Sequence, residues 1–159
     1  MHYLGFKQPD EFTIKDNSKE GIHEVDLEMK IEKIPEFKAG TKMFINPRLY
    51  KIFSENLPKA QNRRLDYYFR YPFEIQGTTI FKVPEGYIPD ALPSVKDNKC
   101  DYASYSTKYW FDEKERAIYC TSKLVLQQNK IPATKYSSVK TFFDKVLMDG
   151  NQKLVIKKN

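Results

Sequence analysis

Hydrophobic and polar positions alternate most clearly between Asn62 and Pro84. There Leu65, Tyr67, Phe69, Tyr71, Phe73 and Ile75 hold the odd positions, and Arg64, Asp66, Tyr68, Arg70, Pro72 and Glu74 hold the even ones. A strand points successive side chains to opposite faces, so this spacing predicts a half-buried strand with one apolar row. Gln76-Gly77 then offers a turn, and Thr78–Val83 predicts a second strand stopped by Pro84. Val25, Leu27, Met29 and Ile31 alternate with charged residues and predict another half-buried strand. Phe12 and Ile14 suggest a short edge strand, and Lys42–Asn46 a further one that ends at Pro47. Between Pro47 and Ala60 the apolar residues Leu49, Tyr50, Ile52, Phe53 and Leu57 fit either a short helix or a loop packed on a sheet. Glu85 to Lys99, interrupted by Pro89 and Pro93, predicts an extended loop with little ladder pairing.

Asp101 to Gln127 predicts a long hairpin. A two-residue turn at Glu113-Lys114 would set Tyr109 opposite Ile118 and Cys120 opposite Thr107. Tyr105, Tyr109, Phe111, Ile118, Cys120, Leu124 and Leu126 then share the core face, with Trp110 and Tyr119 on the other. Tyr136, Val139, Phe142, Phe143, Val146 and Leu147 follow helical spacing from Tyr136 to Met148, and Gly150 stands where a left-handed cap belongs. Leu154–Lys157 closes the chain as a strand. About eight strands and one helix predict an all-β fold, a two-sheet antiparallel sandwich, immunoglobulin-like in outline. Residues 1–21 read as a linker or edge strand and 22–159 as the single sandwich domain.

Composition supports this reading. Apolar residues make up only 40% of the 159, but eleven Phe and eleven Tyr supply large buried area and favour strands. The net charge of +6 raises the question of an acidic partner. The basic residues are scattered along the strands, with Arg63-Arg64 and Lys157-Lys158 as the only doublets, which argues against nucleic acid. No run approaches the roughly 18 apolar residues that a membrane span needs. The opening MHYLGFKQPD lacks the organisation of a signal peptide.

Candidate chemistry is sparse. In the register above, Cys120 lies seven residues along the hairpin from Cys100, roughly 20 Å away at ~3.3 Å per residue. A disulfide needs Cα atoms within about 7 Å, so two free thiols are expected and no disulfide. Cys120 reads as a small buried hydrophobe, and Cys100 lacks a following helix N-terminus to activate it. His2 and His23 are too far apart for a zinc site, and neither a phosphate loop nor a nucleophile elbow is present, so no metal, cofactor or catalysis is expected. The binding candidates are aromatic. Trp110 and Tyr119, with Tyr102, suggest an exposed platform for a glycan or a peptide.

The segments IEKIPEFKAG, NRR before the central strand, IFKVPEGYIPDALP, the long hairpin, IPATKYSSVKTFFDKV and KLVIKK occur in an order that resembles one family. It is the C-terminal domain of bacterial secreted or periplasmic transglutaminase-like proteins, and the likeness runs from about Ile22 onward. Such proteins join an N-terminal β domain, a papain-like core and a closing β-sandwich. The resemblance implies a non-catalytic accessory domain, periplasmic or extracellular, that packs against the papain-like core of the same parent chain. No residue here matches the Cys-His-Asp machinery of that core. A docking surface would lie around Tyr50, Phe53 and Leu57, and the isolated domain would be a monomer. The alternative is a free-standing module that binds glycan or peptide through exposed aromatics.

Overall fold

The computed structural model describes residues 11–16, 25–30, 37–48 and 50–159. His2 and His23 lie outside them. Among the described residues there are twelve strands, two of them two-residue bridges, and one helix, more strands than the eight expected. Two antiparallel four-stranded sheets form the sandwich. The longer strands belong to the first, where β6 (Phe73–Lys82), β10 (Ala117–Leu126), β9 (Ala103–Asp112) and β8 (Lys96–Lys99) lie side by side. The second runs β3 (Phe37–Ala39), β4 (Lys42–Ile45), β12 (Leu154–Lys158) and β7 (Tyr87–Ala91). Strands β1 (Glu11–Asp16) and β2 (Val25–Lys30) form a separate antiparallel pair.

The hairpin register differs from the expected one by two residues. Ala117 faces Asp112, so the loop has four residues, and Tyr109 faces Cys120 while Phe111 faces Ile118. The reason is local. The Asp112 carboxylate accepts the Glu115 amide at 3.0 Å, and Arg116 takes a left-handed φ of 49° that returns the chain to the sheet. A slip of two keeps every side chain on its face, so the expected core row holds.

The turn expected at Gln76-Gly77 is absent, and β6 runs straight through Gly77 opposite Ser122. Ten consecutive partners on β10 outweigh the ~0.5–1 kcal/mol that a strand glycine costs. The expected apolar row before it is also broken. Tyr67 and Phe69 turn inward, whereas Leu65 is 78% exposed and Tyr71 60%. Only Tyr67–Tyr68 (β5) pairs in this stretch, with Lys130–Ile131 (β11). The segment 85–99, expected to be an extended loop with little ladder pairing, supplies two strands, β7 and β8. Both are edge strands, so Pro89 in β7 removes no hydrogen bond from the sheet interior.

One face of the long sheet is covered twice over. Near the hairpin tip, Ile118, Phe81 and Phe111 meet Ile45, Leu154 and Ile156 of the second sheet. Toward the other end, helix α1 (Tyr136–Gly150) lays Tyr136, Val139, Phe142, Phe143 and Val146 over Ala103, Tyr105, Leu124 and Leu126. Gly150 does not form a left-handed cap. The helix includes it and ends at Asn151, at φ −98°, whose amide donates to the Met148 carbonyl at 3.2 Å. The stretch 51–60 is a loop, and it buries Ile52 and Leu57 beneath the helix.

Candidate functional site

A buried polar cluster marks the seam where helix, second sheet and long sheet meet. Arg48 follows β4 through Asn46, whose Oδ1 accepts the Arg48 amide at 3.0 Å. Asp149 sits on the apolar stripe of α1, three residues past Val146. Their side chains are 3% and 2% exposed and meet at 2.6 Å, Nη2 to Oδ2. Nη1 donates to the Asp149 backbone carbonyl at 2.9 Å, and Nη2 also donates to the Tyr109 hydroxyl. The Tyr105 hydroxyl donates to the same Oδ2 at 2.7 Å. Burial pulls the Arg48 guanidinium toward neutrality, but Tyr105, Tyr109 and Asp149 together hold it above its ordinary value, so the cation persists.

Burial pushes both tyrosines up, well past the ordinary phenol range, against the opposing pull of Arg48. Because their folded pKa values exceed the unfolded ones, their contribution to stability is whole below about pH 10. It is lost as pH rises above that, at about 1.4 kcal/mol per pH unit for each group. Alkaline unfolding is therefore expected to begin near pH 10, with Tyr105 and Tyr109 ionising only as the fold opens. Ultraviolet phenolate titration beside circular dichroism checks this, and full titration of all eleven tyrosines in folded protein would refute it.

Cys120 faces this cluster and is 2% exposed. Burial raises its thiol pKa, opposed by Arg48 and by a hydrogen bond from Tyr109, which leaves it protonated and inert. Cys100 and Cys120 are both unpaired. A cleft of about 280 Å³ opens beside β6, bounded by Arg48, Tyr50 and Ile52 on one side. Among the described residues no three His, Cys, Asp or Glu are placed to hold a metal, and no helix is long and apolar enough to cross a membrane. The polar cluster joins layers and presents no activated nucleophile.

The other face of the long sheet is open. Trp110 and Tyr119, cross-strand partners, stack with centroids 4.9 Å apart at 4°. Tyr119 donates to Glu115, which raises its pKa. Trp110 is 42% exposed, and Ile80, opposite Tyr119, is 51% exposed. A groove of about 530 Å³ beside them is bordered by Gln76, Thr78, Ser106, Lys108, Thr121 and Lys123. Tyr102 does not join the pair, because it packs against the helix-side core. Of the three residues expected to dock a partner, only Tyr50 is exposed. Leu57 is in the core, and Phe53 packs on Phe143 at 4.5 Å.

Residues 41–156 match a family described as a domain of unknown function with solved structure, DUF3858. The chain belongs to this family. Its fold is also seen in a solved structure of a candidate protease from Parabacteroides distasonis ATCC 8503, with a TM-score of 0.54 and 11% identity. That likeness covers 64% of this chain but only 20% of the other, so this DUF3858 chain corresponds to about a fifth of that protein's length. No curated protein matches the chain. The buried Arg48–Asp149 pair of this DUF3858 domain escaped the sequence reading. Its one visible trace was a carboxylate lying on the apolar stripe of the helix.

Proposed function

We propose that the chain is a non-catalytic accessory domain, immunoglobulin-like in outline, of an extracytoplasmic peptidase-like protein. It packs on the papain-like core of the same parent chain and helps position substrate. The observation that carries this reading is the fold shared with a stretch amounting to a fifth of a larger candidate protease. The sealed Cys120 and the buried Arg48–Asp149 ion pair agree with a structural part rather than a catalytic one. On its own the domain is a monomer. The reading frame upstream of Met1 is expected to continue without a stop codon into a core that carries Cys, His and Asp. An upstream stop codon with a ribosome-binding site at Met1 would overturn the reading.

In that event a free-standing glycan- or peptide-binding module takes its place. The stacked Trp110–Tyr119 pair beside a hydroxyl-bordered groove favours it.

A further inference from the structure

Nine large apolar or aromatic side chains are exposed among the described residues, and three of them, Leu65, Tyr68 and Tyr71, fall within seven positions. Arg64 and Arg70 are exposed in the same stretch and have no counter-charge among the described residues. The carboxylates nearest to them in sequence, Asp66 and Glu74, are occupied elsewhere. Asp66 accepts the Ala133 amide at 3.0 Å and pairs with Lys130 at 3.5 Å, and Glu74 pairs with Lys123 at 2.6 Å.

The segment carrying these side chains is held firmly. The Phe69 amide donates to the Asn129 carbonyl at 2.9 Å, and Asn129 Nδ2 donates back to the Phe69 carbonyl at 3.3 Å. Tyr67 and Phe69 lock inward against Tyr136 and Phe143, with centroids 5.1 and 5.2 Å apart. The outward side chains are thus presented by an ordered backbone, which reduces what a partner must order on binding. Exposed tyrosine and arginine around an apolar residue is the composition of interface hot spots.

We propose that Arg64, Leu65, Tyr68, Arg70 and Tyr71 form the docking surface of this domain, and that its occupant is an acidic patch on the papain-like core. The inference rests on the accessory-domain reading and supplies the surface it lacks. Two guanidinia without a counter-charge among the described residues suit two or more carboxylates, each able to accept a bidentate pair. They are too few for the other anionic partners. Recognition of anionic lipid uses clusters of about 4–8 Lys or Arg, and nucleic-acid binding typically draws on about 6–10 phosphate contacts.

The test measures binding of the full chain to the purified core encoded in the same reading frame, by calorimetry at two salt concentrations. Arg64→Glu/Arg70→Glu is expected to weaken binding at least about tenfold and to flatten its salt dependence. Lys114→Glu/Lys145→Glu, which changes net charge equally at exposed sites elsewhere, is expected to bind as the parent does. Tyr68→Ala/Tyr71→Ala should weaken binding without altering the salt dependence. Equal binding by the two charge-reversed variants overturns the surface assignment and leaves the accessory-domain reading standing. A wild-type chain that does not bind the core overturns both. Tighter binding to a single-stranded oligonucleotide or to phosphatidylserine vesicles than to the core overturns the assignment in favour of a phosphate surface.

Discussion

Replacing Arg48 by alanine is expected to destabilise the domain by about 3–5 kcal/mol, the usual cost of removing one partner from a buried ion pair. The side chain is 3% exposed and makes three hydrogen bonds, to the Asp149 carboxylate, the Asp149 carbonyl and the Tyr109 hydroxyl. Without it the carboxylate stays buried with only the Tyr105 hydroxyl to satisfy it. The site has no slack, since Asp149 Oδ1 and Arg48 Nε already lack a partner. At roughly 2–4 °C per kcal/mol for a domain of this size, the midpoint should fall by about 6–20 °C. Arg48→Met/Asp149→Leu removes both charges and fills the volume, and is expected to recover most of the loss. Urea unfolding of the two singles and the double closes the cycle. A loss under about 1 kcal/mol for Arg48→Ala would mean that water reaches the pair in solution.

This pair also shows why part of the molecule was illegible in the sequence. Arg48 and Asp149 stand 101 positions apart; Arg48 alone reads as an ordinary surface charge, and Asp149 differs from one only by its place on the apolar stripe of the helix. Only the closure of the second sheet against the helix brings them together. Periodicity, by contrast, records a face reliably. The long hairpin kept its expected core row although the register moved by two, because parity is unchanged. What periodicity omits is whether anything covers that face. Leu65 and Tyr71 continue the odd-numbered row of Tyr67 and Phe69, yet pairing in that stretch is limited to Tyr67–Tyr68, and both ends swing into solvent. The same omission applies to Phe53 and Leu57, expected at a docking surface but packed in the helix-side core. Proline and glycine misled for a related reason. Their local cost says nothing of the ladder partners of β6 or the edge position of β7.

Phe143→Ala is expected to cost about 3–5 kcal/mol, the range for truncating a fully buried aromatic. Phe143 is 0% exposed and stands where three parts of the chain converge. Its ring lies 4.5 Å from Phe53 of the loop before β5, 5.2 Å from Phe69 beyond β5, and 5.2 Å from Phe142 on the helix itself. Truncation therefore leaves a cavity bordered by elements that cannot all close on it. Phe143→Leu retains most of the volume and should lose less than half as much. The position of the cavity adds a second expected outcome. Phe69 anchors the stretch that carries Tyr68 and Arg70, so hydrogen exchange at its amide should accelerate in Phe143→Ala by more than the global loss of stability requires. A small stability change, under about 1.5 kcal/mol, would show that the three elements repack around the missing ring. Acceleration no greater than the global loss would show that the outward segment is held by its backbone pairing to Asn129 alone, and that the aromatic junction supports the core without governing the surface above it.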